Sequence, residues 1–101
     1  MDRPDLMQVF ATCAGRLSAV MEFQWLTDGP ASEATARARQ SMIALTDAAT
    51  PTGSEPRALH LRIEAKAAQA GLLHAAYFRG DGRAGDRAEA LMAECRGLLL
   101  G

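Results

Sequence analysis

Apolar residues recur along this chain at intervals of three and four, and strict alternation is absent. In the first segment, Leu6, Phe10, Cys13, Leu17, Val20 and Gln24 make one stripe, which Met7, Ala14, Met21 and Trp25 broaden. In the second, Ala34, Ala38, Ser41, Met42, Leu45 and Ala49 repeat more weakly. In the third, Leu59, Ile63, Ala67, Ala70, Leu73 and Tyr77 align. In the fourth, Ala84, Ala88, Leu91, Cys95 and Leu98 form a 4-3-4-3 seam, with Arg83, Arg87, Glu89 and Arg96 mostly away from it. This periodicity predicts amphipathic helices over residues 4–27, 31–49, 56–79 and 85–99, and no strands.

Proline and glycine mark the breaks. They fall at Thr27-Asp28-Gly29-Pro30, at Thr50-Pro51-Thr52-Gly53-Ser54-Glu55-Pro56, and from Arg79 to Asp86. Pro4 suits a first helical turn, Asp28 or Ser32 can cap the second helix, and Ser54 can cap the third with Pro56 in its first turn. Asp86 or a near neighbour opens the fourth. Short loops make consecutive helices antiparallel, so the sequence predicts an all-α, up-down-up-down four-helix bundle. Residues 1–101 read as one domain. Helix 1 stands apart. At 100° per residue, Phe23 and Trp25 point roughly 200° apart. It is therefore either the most buried helix or one with a second contact surface.

Composition changes the picture in two ways. Hydrophobic residues make up 49%, but 21 of them are alanine, so the core is made of small side chains. The formal net charge is −1, and ten of the eleven basic residues are arginine, which we read as codon bias. That balance gives no electrostatic reason to expect nucleic acid or an anionic membrane as a partner. No run of apolar residues is long enough for a membrane span. Met1-Asp2-Arg3-Pro4-Asp5 lacks the positive region and apolar core of a secretory signal, so the sequence as it stands reads as cytoplasmic. Removal of a signal would make it periplasmic.

Candidate chemistry centres on the two cysteines. Cys13 lies on the core stripe of helix 1 and Cys95 on that of helix 4. Their heights from one end of an antiparallel pair are roughly 13 and 6–9 Å, so a bridge is geometrically possible. It would close a loop of about 80 residues and stabilise by roughly 4 kcal/mol. A cytoplasmic location favours buried free thiols instead, and the bridge is the alternative to them. Gly15 is tolerable in a helix if another helix approaches closely there. Arg16 can lie across the helix with its charge in water, or flank a binding surface with Glu22 and Phe23.

The remaining residues carry less. His60 and His74 lie about 21 Å apart along helix 3 and cannot share a metal, while Glu64 is placed to pair with His60. Arg79-Gly80-Asp81 reads as turn chemistry, not as an adhesive motif. No phosphate loop, nucleophile elbow or E-x-x-H pattern is present, so no cofactor, metal or catalytic residue is expected. For an enzyme, a cavity lined by Met21, Trp25, His74 and Tyr77 is the first place to look.

The segment Cys13-Ala14-Gly15-Arg16-Leu17-Ser18-Ala19 resembles the first helix of small uncharacterised bacterial all-helical proteins. The resemblance rests on these seven residues alone and implies a compact helical domain but no activity. The expected function is a non-catalytic interaction or scaffold module. It would bind itself, as a homodimer, or a protein partner through helix 1, with Arg16, Phe23 and Trp25 as candidate interface residues. The alternative is a cell-envelope ligand-binding or accessory bundle locked by Cys13–Cys95.

Overall fold

A computed structural model of the chain describes residues 5–99, and all of its regular structure is helical. The helices are α1 (Leu6–Thr27), α2 (Gly29–Ala49), α3 (Glu55–Arg79) and α4 (Gly82–Leu99). The expected start at Pro4 lies outside the described residues.

Local chemistry sets each boundary. Asp5 caps α1, its Oδ1 accepting from the Gln8 N–H at 3.1 Å. Asp28 alone joins α1 to α2. Its N–H donates to the Gln24 carbonyl and closes α1, while its side chain accepts from the Ala31 N–H at 3.2 Å and opens α2. Helix α2 begins two residues earlier than expected because Pro30 fits its first turn, where no intrahelical N–H is needed. Ser54 is the N-cap residue of α3, but its side chain makes no capping hydrogen bond. Gly80 ends α3 with φ 65°, a left-handed conformation that favours glycine. Asp81 then caps α4 by accepting from the Ala84 N–H at 3.1 Å, which moves the helix start forward from the expected 85. The Arg79-Gly80-Asp81 tripeptide is thus a helix stop followed by a helix start.

Helix directions alternate as the loops predict. Helices α1 and α3 run the same way: Arg57 at the start of α3 pairs with Asp5 at 2.9 Å, and Phe23 and Tyr77 meet near the other ends. Neighbourhood does not follow chain order. Helix α1 packs along most of its length against both α2 and α3, which barely touch each other, and α4 lies mainly on α3. Helix α1 is therefore the central helix, with Ala11, Cys13, Ala14, Gly15, Leu17, Ser18, Ala19 and Met21 all buried. The core gathers Cys13, Ala14 and Leu17 of α1, Met42 of α2, and Met92 and Cys95 of α4.

Two expected stripes need correction. In α2, Met42 is fully buried, but Ser32 and Thr46 are buried where Ala34 and Ser41 were expected. In α3 the difference is larger. The buried or half-buried face runs through Ala58, Leu61, Ala65, Gln69, Leu72 and Ala76, whereas Leu59, Ile63, Ala67 and Tyr77 are exposed. The reason is the crossing with α1. A Cβ on Gly15 would sit 3.0 Å from the Ala65 Cβ and closer still to the Arg62 carbonyl oxygen. Only small α3 residues allow that approach, so the bulkier stripe turns outward. At the ends, Leu6 of α1 and Leu98 of α4 are also exposed rather than in their seams.

The Asp5–Arg57 pair gives a pH prediction. The hydrogen bond from Arg57, aided by that from the Gln8 N–H, holds the Asp5 carboxyl below its ordinary value. A depressed folded-state value means that the contribution is present above the unfolded carboxylate pKa and is lost as pH falls through the folded one. Carboxyl NMR should show Asp5 titrating below a free aspartate, and Arg57→Gln should move it back up. An unchanged Asp5 titration in that variant would refute the assignment.

Candidate functional site

Two places stand out, at different heights along α1. The first is the aromatic end, where the C-terminal turns of α1 and α3 lie together. Four rings form a closed circuit there. Phe23 meets Tyr77 edge-on at 5.4 Å, Tyr77 meets Phe78 at 5.0 Å, Phe78 meets His74 at 5.7 Å, and His74 meets Phe23 at 6.3 Å. Edge-to-face contacts of this kind add to the stabilisation from burial. Phe23 is half-buried and anchors the circuit to α1. The other side chains project outward: Trp25, Leu26, Tyr77 and Phe78 are between 61% and 83% exposed.

A shallow groove joins Trp25 and Leu26 to Ala70, Leu73, His74 and Phe78. Its charged members are Glu22 and Lys66, which pair with each other at 2.5 Å. Glu22 and Phe23 thus belong to one surface. Beyond the groove, the exposed stripe of α3 continues through Ala67 and Ile63 to Leu59. At 100° per residue this stripe lies roughly opposite the face that α3 turns to the core. Helix α3 is therefore apolar on two sides.

The second place is the cysteine pair. Cys13 and Cys95 stand at disulfide distance, with Cα atoms 5.5 Å apart and both side chains buried. Arg16 lies over the pair. Its Nη1 donates to Glu94 Oε2 at 3.3 Å and approaches Cys95 Sγ at 3.8 Å. Arg16 is thus held against α4 and mostly shielded, and the structure does not bring it together with Phe23 and Trp25. Its guanidinium and the carboxylate of Glu94 face each other across the α1–α4 seam. The sequence signal for this is the Cys13–Cys95 register itself, which brings Arg16, one turn on from Cys13, beside Glu94, the neighbour of Cys95.

No family model, curated protein or solved structure matches this chain. His60 and Glu64 meet at 3.0 Å on the exposed side of α3, as their spacing predicts. His74 lies in the aromatic circuit instead. Among the described residues, no group of three or more His, Cys, Asp or Glu is placed to hold a metal ion. No described helix is long and apolar enough to cross a membrane. The cavity expected from Met21, Trp25, His74 and Tyr77 does not form: Met21 is buried, while the other three open outward on the end of the bundle.

Proposed function

We propose that the chain is a non-catalytic interaction module that self-associates through the outer face of α3 and the adjoining end of α1. The observation that carries this reading is the exposed stripe Leu59-Ile63-Ala67-Tyr77, flanked by half-buried Ala70 and continuous with Trp25 and Leu26. An apolar face of that extent is expected to be covered. Its layout suits a second copy of the same chain. The stripe spans about 27 Å of helix. Bulky residues sit at both ends, and Ala67 and Ala70 sit in the middle. Two copies crossing antiparallel about a two-fold axis would set Leu59 and Ile63 against Tyr77 and His74, with the small residues at the crossing. That is the self-complementarity an isologous dimer requires.

Charge and area agree. Glu22 and Lys66 neutralise each other within one copy, so two identical surfaces meet without repulsion. Taking about 200 Å² for a large side chain, the exposed parts of Trp25, Leu26, Tyr77, Phe78, Leu59 and Ile63 present about 700 Å² per copy. A standard interface buries about 800 Å² per partner. The cysteine pair favours an oxidising compartment for this module, which also keeps the envelope reading in play.

Sedimentation equilibrium tests the proposal. The protein should be a dimer, and Ile63→Glu should raise the dissociation constant at least about 100-fold, because a two-fold interface carries each substitution twice. Thermal unfolding measured at monomer concentrations should change little, as for other surface positions. A monomer at millimolar concentration, or a dimer indifferent to Ile63→Glu and Trp25→Glu, would refute self-association through this face.

A further inference from the structure

The four helices leave a cavity of about 350 Å³ between them, distinct from the aromatic end. Leu17, Val20, Leu73 and Met92 give it apolar walls, and Gln24 and Gln69 supply amides. These two amides hold the only buried side-chain oxygens without a hydrogen-bond partner among the described residues, Gln24 Oε1 and Gln69 Oε1. Gln69 is 1% exposed, and its Nε2 donates to the Ala88 carbonyl of α4 at 3.2 Å. That bond fixes the amide: turning it over would set its oxygen against the Ala88 oxygen. Gln69 Oε1 is therefore an acceptor, and it lacks a donor. Gln69 also borders a groove on its far side, whereas Gln24 lines the central cavity alone. A buried acceptor left unpaired is destabilising. Two of them on one apolar cavity favour an occupant that brings donors.

We infer that this cavity binds a small neutral molecule with an apolar body and two hydrogen-bond donors, such as a dihydric phenol or a diol. The volume lies at the small end of ligand pockets. Neutrality follows from the rim, where the Glu89 carboxylate is already taken by Arg96 at 2.6 Å. An ammonium would find no unpaired carboxylate among the lining residues, and an anion would face the two amide oxygens.

Amide NMR titration with 4-hexylresorcinol and with its dimethyl ether tests this. The pair share an apolar body, and only the first has donors. The resorcinol should shift Val20, Ala38 and Ala88 and bind at least about tenfold more tightly than the ether. Gln24→Met should reduce that ratio to about threefold or less. Gln69→Met should do the same; Gln24 is the primary site because it is less buried. Equal binding of the two compounds, no shift at the cavity residues, shifts confined to Trp25 and Phe78, or an unchanged ratio in Gln24→Met would each overturn the inference.

Discussion

Reduction of the Cys13–Cys95 pair should lower the stability of the protein by about 4 kcal/mol and its melting temperature by roughly 20 °C. The cysteines are separated by 82 positions, so the bridge ties nearly the whole chain into one loop and removes much of the freedom of the unfolded state. The native contacts make that restraint matter. Helix α4 rests mainly on α3, and its hold on α1 is slight apart from the cysteine pair and the Arg16–Glu94 contact. A single small domain is stable by about 5–15 kcal/mol, so the loss is a large part of the whole. Urea unfolding with and without reductant measures it, and the double variant Cys13→Ala/Cys95→Ala should reproduce the reduced curve. Hydrogen exchange should show α4 opening first. Because both sulfurs are buried beneath Arg16, reductant should act slowly on the folded protein and quickly on the denatured one. Two free thiols in denatured protein that has never met reductant would sink the bridge, and matching urea midpoints would sink its energetic role.

The bridge also bears on function. Ala88, Glu89, Met92 and Arg96 of α4 form one wall of the central cavity, on the same helix as Cys95. Holding α4 in place keeps that wall standing. The apolar stripe used for self-association lies on the opposite side of α3 from the core. Leu73 borders both the cavity and the aromatic-end groove, but Leu59, Ile63, Ala67 and Tyr77 do not line the cavity, so a bound molecule there leaves the exposed stripe open.

Much of this architecture was legible in the sequence because it is local. The breaks at Asp28, Gly53 and Gly80 set the helix ends, and the seam through Ala84, Ala88, Leu91 and Cys95 points inward as its spacing requires. The cysteine pairing was legible as geometry, since two core-stripe positions at similar heights suffice to propose it. The orientation of α3 was not legible. Both of its faces repeat apolar residues, and the inner one carries Arg62, Lys66 and Gln69, which read as polar. Periodicity ranks the face with Leu59, Ile63 and Tyr77 higher because it weighs side-chain size. Packing chose the other because size is what the crossing with α1 excludes. The same conflict hid the functional surface: the stripe that reads as core is the one left outside. Gln24 and Gln69 were hidden for a different reason, since an unpaired amide is visible only once its neighbours are known.

Gly15→Ala should destabilise the protein by about 2 kcal/mol, against the helix propensity that favours alanine over glycine by about 1 kcal/mol. In an isolated helix the substitution would stabilise. Here the added methyl meets the Arg62 carbonyl oxygen, the Ala65 Cβ and the Lys66 backbone nitrogen, two of them at 3.0 Å and the oxygen closer. The oxygen and nitrogen belong to the α3 backbone and cannot swing aside like the tip of a long side chain. Relief requires α1 and α3 to move apart, and that loosens contacts along the longest interfaces in the fold. Gly71→Ala gives the opposite sign. Gly71 is interior to α3, its Cβ would meet nothing within 4 Å, and it should gain up to about 1 kcal/mol. The two substitutions are chemically identical, so a difference of about 3 kcal/mol between their unfolding free energies isolates the helix crossing from propensity. Equal effects at the two positions would mean that α1 and α3 do not approach as closely as Gly15 allows, and the outward turn of the Leu59–Tyr77 stripe would lose its physical cause.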